Sequence, residues 1–351
     1  MKLQTPVWKW VYYLDNVDYF SEVDKMEKRQ IFLTGATGFV GRHLLTSLLK
    51  DNVSVVAMTR QKEPDILRHK TGNCNGKLQF FRSDIRNKIN LPVGITSIYH
   101  CAGVISQEEK MQEVNVEGTH RVVKAALERG CRLIHLSSAG VVGKSKNRLI
   151  DENTICKPQN VYESSKYEAE KIVLDGIANG LQAQILRPTI IFGVGRKENQ
   201  DSFLQLLRAM KRGTYRNIGN GIYNLIHVNE VARVMRMLDS DVHPNGGNYF
   251  INTPIYFRGM DRIVKKVTTG KFEESFNIPY GAAVLAGVVF SLLAKLSRRN
   301  MPLTLSRVRA LANRKVYSQE RLVRILKYQP LFSVEEYVEK MCNYYCEQGV
   351  L

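Results

Sequence analysis

No CxxC pair and no Cys/His quartet with zinc spacing occurs in the 351 residues. The six cysteines, Cys74, Cys101, Cys131, Cys156, Cys342 and Cys346, are scattered, which excludes a zinc finger or a disulfide scaffold and predicts reduced thiols in a cytoplasmic compartment. At the N-terminus, MKLQTPVWKWVYYLDNVDYF has no apolar core followed by a small-residue cleavage site and is interrupted by Asp15 and Asp18, so secretion is not expected. Helix-turn-helix and RNA-binding aromatic motifs are missing, and no nucleic-acid partner is expected. Internal repeats and low-complexity tracts are missing as well. Acidic residues are in short supply: 33 Asp and Glu stand against 51 Lys and Arg, a formal net charge of +18 that favours anionic partners.

The basic excess is concentrated. Residues 291–330 hold ten basic residues and one acidic residue, Glu320, and so carry half of the net charge. The run 278–296, which overlaps their start, contains one charge, Lys295, and approaches the ~20 apolar residues of a membrane span. Three readings stay open for it: a helix buried on the substrate pocket, a helix lying on the inner face of a membrane, and a true span. Peripheral contact through 278–330 would draw on ~1 kcal/mol for each basic residue near an anionic surface.

From Ile31 onward, short apolar runs (IFLT, VSVVAM, LQFFRSD, SIYHCA, LIHLSS, QAQILRP) alternate with helical patterns such as RHLLTSLLK and YESSKYEAEKIVLDGIANG. Such alternation predicts an α/β fold with a doubly wound parallel sheet whose strands are buried on both faces. The rhythm weakens after Pro188, where a smaller, mixed C-terminal lobe is expected to shape a substrate pocket. The predicted division is an N-terminal extension over 1–29, a dinucleotide-binding unit over 30–193 plus about 222–250, and a substrate-binding lobe over about 194–221 plus 251–351.

Gly35, Thr37, Gly38, Phe39, Val40 and Gly41, in TGATGFVG, follow a strand and open a helix. Glycines there permit a tight turn and close approach of a pyrophosphate to the helix N-terminus, which predicts a Rossmann-type dinucleotide site. About twenty residues on, where an Asp or Glu would take the ribose hydroxyls of NAD, the chain has Thr59-Arg60. A guanidinium holds a 2′-phosphate, so NADP is favoured, with NAD tolerated.

Tyr162 and Lys166 are four apart on a predicted helix and share a face. An ammonium ~4 Å from the phenol at an effective dielectric of ~20 contributes about 4 kcal/mol, which would bring a tyrosine toward proton exchange at neutral pH. Ser137-Ser138 ends the apolar strand before that helix, and one hydroxyl there can hold a substrate oxygen beside the tyrosine.

Together with SDIRN, YHCAGV, NVEGT, LRPTIIFG and LIHVNEVA, these motifs make the chain resemble the extended short-chain dehydrogenase/reductase family, in its epimerase/dehydratase and 3β-hydroxysteroid dehydrogenase-like branch. The resemblance covers most of 30–349. It implies Ser138 as catalytic serine, Tyr162 as general acid/base, Lys166 as the group that lowers the tyrosine pKa and binds the nicotinamide ribose, and Asn115 as organiser of the site. It also implies that Asp84 and Ile85 flank adenine, that Cys101, Ala102 and Gly103 line the cofactor, and that Pro188, Thr189 and Ile190 meet the nicotinamide. A homodimer through the helices of Asn115 and Tyr162 is a further implication.

Departures from subfamily patterns narrow the reaction. Ala139-Gly140 stands where dehydratases have an Asp-Glu pair, and Tyr223 where nucleotide-sugar epimerases have a diphosphate-binding Arg, with Arg196 and Arg258 as candidates to compensate. The leading expectation is an NADP-preferring oxidoreductase that interconverts a secondary alcohol and a ketone on an apolar or lipid-like small molecule. A nucleotide-sugar epimerase is the alternative, and a non-catalytic dinucleotide-binding subunit a third reading.

Overall fold

The computed structural model describes residues 29–61, 76–196, 198, 201–240, 244–297 and 304–351, with the backbone alone for 292–297. The N-terminal extension up to residue 28, Cys74, Arg298 and Arg299 lie outside the described residues.

Seven parallel strands form the main sheet. They are β1 (Gln30–Thr34), β2 (Ser54–Thr59), β3 (Leu78–Arg82), β4 (Ile95–His100), β5 (Arg132–Leu136), then Ala183–Pro188 and Asn248–Ile251. Across the sheet the order is Asn248–Ile251, Ala183–Pro188, β5, β4, β1, β2, β3. Alternate residues of β1 explain why its run is apolar without interruption. Ile31 and Leu33 join one core cluster with Leu44, Leu48 and Val231, while Phe32 joins the other with Val122, Ala126 and Leu133. Helices thus cover both faces, and each such fully buried side chain contributes about 1.5–3 kcal/mol.

The chain leaves β1 in one direction through β2 and β3, then returns to lay β4 on the other side of β1. The carboxyl ends of β1 and β4 therefore part around a crevice, where open α/β sheets bind ligands.

The smaller lobe is built differently. Ile190–Phe192, Ile222–His227 and Thr253–Tyr256 form a mixed three-stranded sheet, parallel on one side and antiparallel on the other. Strand 222–227, expected with the dinucleotide-binding unit, instead joins this sheet, and NYFINTP is divided between the two sheets at Asn252. A separate core of Phe203, Leu207, Met260, Val264, Val338 and Met341 sits beneath it. Glu230 ties the C-terminal segment to the main sheet's flank: it accepts from the hydroxyls of Tyr328 at 3.0 Å and Tyr337 at 2.8 Å and from the amide of Leu331 at 2.7 Å.

The apolar run becomes the helix Tyr280–Ser297. Ala283 and Gly287 pack against Leu305–Leu311, where a side chain at Gly287 would meet Val308 at 3.0 Å, so small residues let the two helices approach. Leu285, Val288 and Val289 are exposed. This corrects both extreme readings: one face is buried and the other is not, and no helix among the described residues is long and apolar enough to cross a membrane.

Candidate active site

Gly35 turns the chain out of β1 at φ +72°, and its backbone is so close to Ala102 that a Cβ would stand 2.6 Å from the Ala102 amide. Gly41 packs on the same turn, where a Cβ would fall 2.1 Å from the Gly35 carbonyl oxygen. Helix Phe39–Lys50 then starts with no side-chain cap, its N-cap being Gly38. Its first amides are left for a ligand.

The crevice holds a cavity of ≈ 290 Å³. Gly35, Thr37, Gly38, Arg60, Asp84 and Ile85 line it, as do Cys101, Ala102 and Gly103. Seven expected residues do not: Lys166, Pro188, Thr189 and Ile190 lie elsewhere, Val40 and Gly41 are buried beneath the turn, and the Phe39 ring lies under the guanidinium of Arg196, 4.2 Å from its carbon. Arg86 and Lys110 are additional lining cations that sequence reasoning missed; Arg86 was in view only as part of SDIRN. Arg86 clamps Asp84 through Nε at 3.0 Å and Nη2 at 2.9 Å, which holds the carboxyl below its usual range.

Helix Val161–Ala178 begins where Asn160 accepts a hydrogen bond from the Glu163 amide at 2.9 Å, a cap that contributes about 1 kcal/mol and fixes where Tyr162 stands. Ser138 caps the turn Ala139–Val142 by accepting from Gly140 N at 3.1 Å. Ser138 and Tyr162 line the same cavity. Burial raises the phenol pKa; the Ser138 hydroxyl and the charge of Arg196 oppose that rise.

Lys166 departs from the expectation. It is buried, and its Nζ donates to the Leu136 carbonyl at 2.6 Å, at the end of β5. Burial lowers its pKa to about 8, and it is not among the groups acting on the phenol. Four-residue spacing correctly put both side chains on one face, but it gave no sign of the carbonyl that competes for the ammonium.

Asn115 sits in a π-helical turn, Gln112–Glu117, and its amide is fully used. Oδ1 accepts from Val104 N at 2.8 Å, while Nδ2 donates to Val104 O at 3.0 Å and to Ser165 Oγ at 2.9 Å. It therefore fastens the loop after β4 to the helix carrying Tyr162.

A second cavity, of ≈ 680 Å³, opens over the hydroxyl pair. Ser138, Tyr162, Pro188, Thr189 and Ile190 line it, and so do apolar groups from the smaller lobe, among them Phe203, Leu206, Phe257 and Leu311. Tyr223 lines it too, stacked on Phe257 at 4.9 Å, its pKa pushed up to about 12 by burial. Of the two candidate arginines, Arg196 lines this cavity, whereas Arg258 lies in another, held by Glu274 at 2.7 Å. The two ligand cavities are neighbours along the chain, one bounded by Val104 and the other by Ile105.

A model of the NAD dependent epimerase/dehydratase family matches residues 31–251. The chain is 28% identical over 355 residues to the 3beta-hydroxysteroid-dehydrogenase/decarboxylase isoform 1 of Arabidopsis thaliana, covering 91% of this chain and 80% of that protein. It is 31% identical over 248 residues to the UDP-glucose 4-epimerase of Vibrio cholerae, covering 64% and 70% respectively. In fold it is similar to UDP-glucuronic acid 4-epimerase from Bacillus cereus in complex with NAD, with a TM-score of 0.66 at 20% identity, covering 92% of this chain and 100% of that one.

Proposed function

The chain belongs to the NAD dependent epimerase/dehydratase family, and from that premise we propose that it is an NADP-preferring dehydrogenase interconverting a secondary alcohol and a ketone on an apolar, lipid-like molecule. The observation that carries this reading is that Ser138 and Tyr162 line one cavity together with apolar groups such as Phe203, Leu206, Phe257 and Leu311. The similarity to a hydroxysteroid dehydrogenase/decarboxylase along 91% of the chain supports it.

The crevice fits a dinucleotide: side chains at Gly35 or Gly41 would fill the cradle, and the helix N-terminus behind it is bare. Gly35, Thr37 and Gly38 would hold the diphosphate, Ile85, Ala102 and Gly103 the adenosine side, and Pro188, Thr189 and Ile190 the nicotinamide side. Arg60, exposed at the end of β2, with Arg86 across the cavity, supports a 2′-phosphate; Asp84, the one lining carboxylate among the described residues, is already held by Arg86. When bound, the nicotinamide accepts or supplies a hydride.

This chain's residues do the proton work. Tyr162 takes the alcohol proton as the ketone forms and returns it in reduction, Ser138 orients the oxygen, and Arg196 opposes the rise in the phenol pKa that burial imposes. Lys166 would reach the ribose from its place on Leu136, and Asn115 is a positioning residue that keeps Val104 and the tyrosine helix in register. A division into a dinucleotide-binding unit and a substrate-binding lobe remains part of this proposal, with strands 190–192 and 222–227 counted with the smaller lobe's sheet. The exposed face of Tyr280–Ser297, with Phe272 and Phe276 both 71% exposed, would rest on anionic lipid at the inner membrane face, complemented by exposed basic residues such as Arg309. Leu127 on helix Gly118–Arg129, with Val161 and Leu174 on helix Val161–Ala178, would form the face of a homodimer.

Tyr162→Phe tests the assignment: turnover should fall by about 10²–10⁴-fold with dinucleotide affinity within about two-fold, and retained turnover refutes it. An epimerase is the second reading, favoured by the 31% identity to UDP-glucose 4-epimerase and disfavoured by the neutral Tyr223.

A further inference from the structure

A third cavity, of ≈ 600 Å³, is lined by Arg148, Arg258, Arg262 and Arg314 against one carboxylate, Glu274, among the described residues. It meets the larger cavity at Ile222 alone, and neither Ser138 nor Tyr162 lines it. Backbone pairing brings these distant arginines to one place. Val316 N donates to the Arg148 carbonyl at 2.8 Å, Ile222 N to the Asn313 carbonyl at 2.7 Å and Phe257 N to the Gly221 carbonyl at 3.1 Å. A Cβ at Gly221 would stand 1.7 Å from the Leu311 carbonyl oxygen, so only glycine lets these segments meet.

Arg258 and Arg262, one turn apart on helix Phe257–Thr269, share Glu274. Arg258 reaches Oε2 through Nε at 2.9 Å and Nη2 at 2.7 Å, and Arg262 takes Oε1 through Nη2. Arg262 and then Arg258 hold that carboxyl below its usual range. Arg148 and Arg314 are exposed and have no ion-pair partner among the described residues. Three of the four positive charges are therefore uncompensated within the cavity. The helix beside them starts without a side-chain cap and without an acidic residue in its first turn, so its dipole also favours an anion.

A carboxylate brings one charge and two oxygens in one plane, which satisfies a single guanidinium fork. A phosphate monoester brings about two charges and three oxygens that point apart. It can engage Arg148 and Arg314 from the paired strands together with the arginines of the helix. Exposed Tyr256 in the lining, with exposed Phe272 and Phe276 flanking Glu274 in sequence, brings aromatic surface to the same region, which fits a lipid headgroup; a free phosphate offers the same oxygens.

We propose that Arg148, Arg258, Arg262 and Arg314 form a binding site for a phosphate monoester, separate from the dinucleotide and substrate cavities. The site takes no part in the hydride chemistry, so it stands whether or not the dehydrogenase reading does.

Inorganic phosphate and acetate would be titrated calorimetrically, at equal ionic strength, into the protein saturated with NADP. The proteins are the wild type, Arg148→Gln with Arg314→Gln, and a charge-matched control, Lys124→Gln with Lys171→Gln, on the helices beside the main sheet. The wild type and the control should bind phosphate at least about ten-fold more tightly than acetate, and the arginine variant should lose that margin with NADP affinity within about two-fold. Equal phosphate and acetate affinity in the wild type overturns the proposal. So does a margin that survives in the arginine variant, or one that the lysine control loses as fully. Sedimentation with phosphatidylcholine vesicles carrying phosphatidic acid, or the same negative charge as phosphatidylserine, separates the sources. A preference for phosphatidic acid that the arginine variant loses identifies a lipid headgroup; equal sedimentation with both vesicles, alongside the calorimetric margin, identifies a free phosphate.

Discussion

The two neighbouring cavities are built by different means. The smaller one is made mostly of backbone: a left-handed glycine, a helix start without a cap, and strand ends separated by the order of the sheet. Contiguous sequence specifies the first two of these. The larger one is made of side chains from distant stretches, with Tyr162, Arg196, Phe203, Tyr223 and Leu311 meeting only once the smaller lobe has folded. Backbone cradles tolerate little change and suit one ligand class, whereas side-chain walls can be rebuilt for new substrates without disturbing the chemistry at Ser138 and Tyr162.

The contrast is sharpened most by Gly41→Val. A Cβ has no room against the Gly35 carbonyl, so stability should drop by about 3 kcal/mol in urea unfolding, with loss of dinucleotide binding. A variant that binds NADP normally would break the claim that backbone contact shapes this side. Next comes Arg60→Glu, which should turn the NADP-to-NAD affinity ratio toward NAD by at least ~10-fold. An unchanged ratio would remove the 2′-phosphate assignment. The smallest effect is expected far from both cavities: Leu285→Asp with Val289→Asp should weaken partition onto anionic vesicles about five-fold and leave dinucleotide binding alone. Equal partition of wild type and variant would leave the exposed helix face without a lipid role.

The same contrast explains what could be read before the structure. The glycine turn and the parallel, doubly wound character of the sheet follow from short motifs and their alternation. The Lys166 ammonium could not be placed, because its partner, the Leu136 carbonyl, lies 30 residues away in sequence. Arg196 could be named only as one of two compensating charges, since its place in the cavity depends on stacking over Phe39 and on the loop after Phe192. The run 278–296 stayed ambiguous because hydropathy does not show which face of a helix meets Val308.

The central claim is net hydride transfer from an apolar alcohol, and nicotinamide absorbance tests it most directly. Purified protein with NADP would be mixed with separated lipid-soluble and water-soluble metabolite fractions, alongside Tyr162→Phe. The account predicts net NADP reduction by the lipid-soluble fraction in the wild type alone. No net change with either fraction, together with isomerised sugar nucleotides in the water-soluble one, would contradict it and establish the epimerase.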